Sequence, residues 1–357
     1  MEDVVSAGFA SAYRGKRVLV TGHTGFKGSW LALWLTRMGA EVTGFSDDVP
    51  TDPSHFDLLK LDMDDRRGDI ADPDAVGAAV EAARPDIVFH LAAQSLVRRA
   101  YSDPFGTYRT NVLGSLAVFE ACRRQSGVRA IVSATTDKVY RNREWEWGYR
   151  EPDELGGSDP YSASKSCVEL LTSSYRESFL RGEGGMLIAS VRAGNVIGGG
   201  DWAEDRLIPD IVRSVYRGEA VRIRNPESTR PWQHVLDPLS GYLDVGARML
   251  GGDRAAADAW NFGPEAKASI RVADILGVMQ KMLPQLRVEI EPDAGGRHES
   301  GLLQLDSAKA HARLGWRSRW EGEMLERTIA WYKAWYEEGR LLSHAQLDDY
   351  AASALTA

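Results

Sequence analysis

Cysteine is scarce in this chain, and long apolar runs are missing. Two cysteines, Cys122 and Cys167, occur in 357 residues. They cannot make a disulfide framework, and they show no metal-ligand spacing, so no metal is expected. Such usage suits a reducing cytoplasm. No segment reaches the ~18 apolar residues that a membrane-crossing helix needs. The opening stretch MEDVVSAGFASAYRGK has acids near its start and no apolar core of a leader. No membrane partner is therefore expected. Basic charge is also in short supply: 43 Lys and Arg against 51 Asp and Glu leave a net charge of −8. That balance argues against non-specific nucleic-acid binding, while local cations can still grip a small anionic ligand. Internal repeats and low-complexity tracts are absent.

What is present is an ordinary globular composition, 43% apolar and 26% charged, in a chain long enough to bury a large core. Short apolar runs alternate with helical periodicity through the first half. RVLVT, EVTGF, DIVFHLA, RAIVSAT and MLIASVRA read as buried strands. SWLALWLTRM, residues 103–125 as one long helix, and residues 161–180 read as helices. This rhythm predicts βαβ units and a parallel sheet covered on both faces. The fold class expected is α/β, a doubly wound parallel sheet with a smaller α/β C-terminal part. Residues 12–193, with segments near 235–262 returning to them, form the expected large domain. Residues 194–234 and 263–340 form the smaller one, and 341–357 read as a loosely ordered tail.

The sequence VTGHTGFKGS sets Gly22, Gly25 and Gly28 three apart between a strand and a helix. Glycines let the backbone turn and approach a pyrophosphate, which the helix N-terminus attracts. His23 and Lys27 are candidate cationic contacts to phosphate, or else solvent-facing loop residues. An acid after the second strand would read a ribose. Asp47 is assigned that role, with Asp48 beside it, and it favours NAD over a 2′-phosphorylated cofactor.

Tyr161 and Lys165 lie four apart in PYSASKSC and so share one helix face. An adjacent ammonium is expected to lower the phenol pKa from about 10, preparing it to take a proton from a substrate hydroxyl. Asp137 and Lys138 follow a strand. They are either an exposed strand-end pair or proton-handling groups delivered into a cleft.

The glycine spacing GxxGxxG and the words TTDKVY, REWEWGYRE, DPYSASK, VRAGNVIGGGDW, DRLIPDI and RPWQHVLDPLSGYL carry a resemblance over residues 15–335. They resemble the nucleotide-sugar 4,6-dehydratases of the extended short-chain dehydrogenase/reductase superfamily, in particular the branch acting on CDP-glucose. The resemblance implies a Thr136–Tyr161–Lys165 triad and a tightly held NAD. It implies cofactor contacts at Gly22, His23, Gly25, Phe26, Lys27, Gly28, Asp47, Asp69, Ile70, Leu91, Ala92, Ala93 and Asn111. His90 is read as a core histidine. Relatives follow the threonine with Asp-Glu, the Asp protonating the C6 hydroxyl that leaves and the Glu removing the C5 proton. Here Lys138 replaces the Glu. As a C5 base it would have to be neutral; otherwise it stays charged and stabilises the enolate. Asp137 must hold a proton near neutral pH, which takes a desolvated site. Asn195 is the implied sugar or diphosphate contact, Leu207 and Ile208 the base-pocket wall, and Arg230 and Arg297 the phosphate clamps. Trp145, Trp147 and Tyr149 either close over the sugar or pack between the two parts. The implied reaction is C4 oxidation, loss of water across C5 and C6, and hydride return to C6. A 4-epimerase, a dehydratase of another nucleotide hexose, and a non-catalytic NAD-binding scaffold are the competing readings. Relatives pair the helices at 104–125 and 161–180, so a homodimer or homotetramer is expected.

Overall fold

A computed structural model describes residues 9–180, 182, 184–264, 269–291 and 302–353. Its strands run β1 (Arg17–Thr21), β2 (Glu41–Ser46), β3 (Asp64–Arg67), β4 (Ile87–His90), β5 (Ala130–Ala134) and β6 (Leu187–Ala193). Shorter ones follow: β7 (Val196–Ile197), β8 (Ala220–Ile223), β9 (Thr229–Pro231), β10 (Gln233–His234), β11 (Ala259–Phe262), β12 (Ser269–Arg271) and β13 (Arg287–Ile290). The main sheet has the order β11-β6-β5-β4-β1-β2-β3 and is parallel throughout. Strand order reverses between β1 and β4, and a crevice opens beyond their carboxyl ends, where doubly wound sheets take ligands. The remaining strands pair in twos, β10 with β7, β12 with β9 and β13 with β8.

Helices α1 (Phe26–Arg37), α2 (His55–Leu59), α3 (Pro73–Ala83), α4 (Val97–Ser102), α5 (Pro104–Tyr108), α6 (Gly114–Arg124) and α7 (Pro160–Phe179) belong to the first half. Helices α8 (Leu207–Arg217), α9 (Leu236–Leu250), α10 (Val272–Met282), α11 (Ala308–Leu314), α12 (Met324–Glu338) and α13 (Ser343–Ser353) follow. Strand residues alternate between two cores. Val18, Val20, Phe89 and Val132 pack with α1, α9 and α12. Leu19, Val88, Ile131 and Ile188 pack with α3 and α6. Both faces are thus apolar, which is why the strands lack polar alternation. From the second half, α9 lies on this sheet and β11 pairs with β6.

The start of α7 decides where the chemistry sits. Asp159 caps it by accepting from Ser162 N, and Pro160 occupies its first turn. Proline loses nothing there, because that N–H would have no partner in the helix. Tyr161 is thereby fixed at the sheet's carboxyl edge.

Two expectations need correction. The stretch 103–125 is not one regular helix. It passes from α5 through a π turn, Arg109–Leu113, into α6. The widened turn allows Asn111 to reach inward, and Gly114 lies against Ile70, whose Cγ2 would be 2.8 Å from an added Cβ. The segment 341–357 is not loose where it is described. In α13, Leu347 and Tyr350 are buried, and the Tyr350 hydroxyl donates to Asp237 Oδ1 at 2.8 Å. Aromatic packing on Trp34 and Trp320 holds this helix against α1. Tyr350→Ala is expected to lower unfolding free energy by about 3–5 kcal/mol, read by chemical denaturation. A loss below about 1 kcal/mol would mean that α13 is not anchored through this ring.

Candidate active site

Between β1 and α1 the chain turns on Gly22, whose φ is +76° and whose Cβ, if present, would lie 2.6 Å from Ala92 N. A Cβ on Gly28 would lie 2.0 Å from Gly22 O. These two glycines are therefore required by backbone contact. Gly25 is different: an added Cβ would come no nearer than 3.4 Å to another protein atom, Gly22 O. It is the N-cap of α1 and brings no side-chain cap, so the first N–H groups of that helix face an open trough. A glycine cradle over an uncapped helix start fits a pyrophosphate.

The trough continues into a cleft of about 1080 Å³, lined from Gly22 and Pro50 past Thr136 and Tyr161 to Ile223, Arg230 and Val272. That volume is at the upper end for a single ligand site, and it suits two ligands laid end to end. Asp137, Thr136, Tyr161 and Lys165 are buried around its middle. Thr136 Oγ1 donates to Asp137 Oδ1 at 2.9 Å, and Thr136 is hydrogen-bonded to Tyr161. Asp137 Oδ2 is buried with no hydrogen-bond partner among the described residues. The bare Gly194 keeps room beside it, since a Cβ there would be 3.1 Å away. Lys138 also lines the cleft, half-buried. The Asp137–Lys138 pair is therefore a feature of the cleft and not an exposed strand end.

The electrostatics differ from the sequence expectation. Burial pushes the Tyr161 phenol up to about 12; the Thr136 hydrogen bond opposes this and the Asp137 charge adds to it. Lys165 is not a leading influence on that phenol in the ligand-free protein. Its Nζ donates to Ala134 O at 3.1 Å, and burial brings the ammonium down to about 8 against the pull of Glu169. Desolvation outweighs the one-turn proximity that the YxxxK spacing suggests. Lys27 also comes down to about 8, first through burial and then through Arg206, with Asp137 opposing.

The remaining sequence candidates divide clearly. Phe26, Lys27, Leu91, Ala92 and Ala93 line the cleft, as do Asn195, Leu207, Ile208 and Arg230. His23 does not and is no cationic phosphate contact. Its fully buried ring bonds Asp65 Oδ1 at 2.8 Å and Ser46 Oγ at 3.0 Å, and burial lowers its pKa. Asp48, not Asp47, lines the cleft; the Asp47 carboxylate accepts from Asp48 N at 2.8 Å. Asp69 and Ile70 lie off the cleft lining, with Asp69 paired to Arg109 at 2.6 Å and Ile70 packed in the α3/α6 core. Asn111 is a bracket. It accepts from Gln94 N at 2.8 Å and donates to Gln94 O at 3.1 Å and Ser164 Oγ at 2.8 Å, tying the post-β4 loop to α7. Its polar atoms are used up in that role. Trp145 stacks on Tyr149 with centroids 5.4 Å apart and Trp147 is exposed, so neither roofs the cleft. Arg297 lies outside the described residues.

Sequence reading passed over Arg206, which pairs with Asp201 at 2.8 Å and reaches Ser95 Oγ at 3.2 Å. With Arg222, Arg224 and Arg230 it brings four guanidinium groups to the cleft lining, beside the carboxylates of Asp201, Asp205 and Asp210. Its only sequence signal was its place directly before Leu207. Among the described residues no His/Cys/Asp/Glu group could hold a metal ion.

The doubly wound parallel sheet and its glycine turn are those of a Rossmann-type short-chain dehydrogenase/reductase. More narrowly, the chain belongs to the family described as GDP-mannose 4,6 dehydratase, which matches residues 19–329. It is 47% identical over 350 residues to CDP-glucose 4,6-dehydratase of Salmonella typhimurium, covering 96% of this chain and 98% of that one. It is 30% identical over 341 residues to dTDP-glucose 4,6-dehydratase of Streptomyces antibioticus, covering 90% and 94%. Among solved structures, an epimerase of Methanothermobacter thermautotrophicus superposes with a TM-score of 0.81 at 26% identity, covering 94% and 96%. MoeE5 in complex with UDP-glucose and NAD gives 0.72 at 25%, covering 88% and 98%.

The buried amines yield a stability signature. Folded Lys27 and Lys165 release their protons near pH 8, whereas the unfolded chain holds them to about 10.5. Between those values the unfolded state binds more protons, so stability contributed by these groups rises with pH. In ligand-free protein, the difference in unfolding free energy between wild type and the Lys27→Met/Lys165→Met variant is expected to shift in wild type's favour from pH 8 to 10. A flat difference would contradict the burial of both amines.

Proposed function

We propose that the protein is an NAD-dependent nucleotide-sugar 4,6-dehydratase converting CDP-glucose to CDP-4-keto-6-deoxyglucose. The single observation carrying this reading is the unpartnered, buried Asp137 Oδ2 beside the Thr136–Tyr161 pair. A 4-epimerase needs the triad but has no use for a proton donor there. The 47% identity to CDP-glucose 4,6-dehydratase supports the choice of base.

In this reading the glycine cradle, Lys27, Asp48 and Leu91–Ala93 hold NAD. The cofactor supplies hydride acceptance at C4 and hydride return at C6. Tyr161, kept in register by Thr136 and held as the phenolate by the Lys165 ammonium in the loaded site, takes the C4 hydroxyl proton. The C4 ketone acidifies C5, because the resulting carbanion is an enolate. Asp137 then hands its proton to the departing C6 oxygen. Lys138 serves the C5 step, as base or as counter-charge to the enolate. Asn195 and the Arg206, Arg222 and Arg230 group grip the diphosphate, with Leu207 and Ile208 against the base and Arg297 as a further clamp. Residues 12–193 with 235–262 carry the cofactor, and 194–234 with 263–340 carry the substrate. The setting is the cytoplasm. Among the described residues, no helix is long and apolar enough to cross a membrane. A homodimer or homotetramer forms through α5, the π turn and α7. Phe105, Leu113, Leu170 and Phe179 are 79%, 55%, 60% and 56% exposed there, more apolar surface than isolated side chains account for.

Product analysis with CDP-, dTDP-, GDP- and UDP-hexoses tests the reading. A 4-keto-6-deoxy product from CDP-glucose supports it, and CDP-galactose or no product refutes it. Asp137→Asn is expected to slow product formation about a hundred- to ten-thousand-fold while reduced nicotinamide accumulates. Tyr161→Phe should lose both signals. Lys138→Arg keeps the charge but offers no base, so retained elimination assigns counter-charge and lost elimination assigns proton removal. Sedimentation should give a dimer or larger, reduced to monomer by Phe105→Glu/Leu170→Glu.

A further inference from the structure

Directly beneath the cleft lies a buried polar network that the mechanism above does not use. Its hub is Glu169, one helical turn beyond Lys165 on α7. Arg192 of β6 grips the Glu169 carboxylate with two prongs, Nε to Oε1 at 2.9 Å and Nη2 to Oε2 at 2.7 Å. Both side chains are 3% exposed. Thr135 Oγ1 donates to Oε1 at 2.5 Å and Ser190 Oγ to Oε2 at 2.7 Å. Arg192 Nη1 goes on to the Tyr140 hydroxyl at 2.6 Å, and that hydroxyl donates to Asn261 Oδ1 at 2.7 Å. Every polar arm ends on a partner, so the network is fixed and not merely buried.

Its branches touch the elements that must be aligned for the reaction. Thr135 immediately precedes Thr136 and Asp137. Glu169 shares a helix with Tyr161 and Lys165. Tyr140 lines the cleft just beyond Lys138, and Asn261 belongs to β11. Taking the dehydratase reading as its basis, we propose that Glu169 is a positioning residue of this reaction. Its clamped carboxylate holds the strand end bearing Thr136 and Asp137 in register with α7, and from one turn further along the same helix face it sets an anion beside Lys165.

The charge environment is consistent with that role. Burial alone would raise the Glu169 pKa, but Arg192 with the Thr135 and Ser190 hydrogen bonds holds it below the usual carboxylate range. The groups acting around Lys165 are Glu169 on its own helix, Lys27 from α1, and His90 from β4, which burial keeps neutral; Tyr161 stands one turn before it on the same face. Arg176, also on α7, adds a second cation near Glu169. Glu169 is the anion acting on Lys165. Neutralising it leaves the amine to burial and to Lys27, and the ammonium is then lost at lower pH.

The test is the pH dependence of kcat and KM for CDP-glucose with the NAD-loaded protein. Glu169→Gln is expected to move the alkaline limb of kcat down by about one pH unit, about a tenfold loss on that limb, with KM changed less than threefold. Glu169→Asp retains the charge and should keep the wild-type limb. Thr135→Val removes the strand link alone and should lower kcat without moving the limb. A Glu169→Gln limb that coincides with wild type overturns the proposal. So do Gln and Asp variants displaced alike, which would mark a merely structural role. If Glu169→Gln does not fold, Thr135→Val decides the strand link by itself, and a kcat there equal to wild type overturns the proposal. Acetic anhydride labelling of Lys165 against pH, read by mass spectrometry, follows the amine without turnover. Its midpoint should fall in the Gln variant and not in the Asp variant. Should wild type form no product, the dehydratase reading fails, and the labelling midpoint alone decides the role of Glu169.

Discussion

An acidic oxygen held away from water with nothing to bond to is costly, about 1–3 kcal/mol for an unsatisfied buried polar atom and more when charged. Asp137 Oδ2 is such an atom. Its position survives because everything around it is over-determined. β5 is central in a parallel sheet, α7 is capped by Asp159, and Thr136 fixes the other carboxylate oxygen. Structures meet such a cost at sites where a ligand supplies the missing partner. The cleft beside Gly194 has room for one.

The same arrangement separates two uses of burial. Toward α1 and α9 burial is apolar and provides most of the stability. Toward the cleft it acts on titratable groups, bringing two amines down and a phenol up. The guanidinium groups on the cleft lining suit a diphosphate in a chain whose net charge would otherwise repel one.

Much of this was legible in the chain. The alternation of apolar runs and helical periodicity places the seven-stranded sheet, because period and burial are local properties. The glycine turn and the Tyr161–Lys165 pair were readable because their chemistry depends on short spacings, whereas the roles expected of Thr136 and Asp137 came from the family resemblance. What sequence could not supply was the direction of side chains. His23 sits inside a phosphate-loop motif, yet it turns under Gly44 to reach Asp65, and Asp48 takes the cleft position assigned to Asp47. Asn111 faces inward because of a π turn that no periodicity announces. The Glu169–Arg192 pair joins residues 23 positions apart on a helix and a strand. Its meaning depends on sheet register, which spacing does not encode. The burial of α13 was missed because its contacts lie far away, on Trp34, Asp237 and Trp320.

The outer strand β11 arrives at the main sheet only after the chain has left it, built β7 to β10 and returned through α9. A fragment ending after β6 would therefore have an open seam. One flank of β6 would present bare N–H and C=O groups, and the apolar surface under α9 would be uncovered. Exposed edges of this kind recruit other chains. Excising or grafting the nucleotide-binding half as a module would trade a closed molecule for a sticky one.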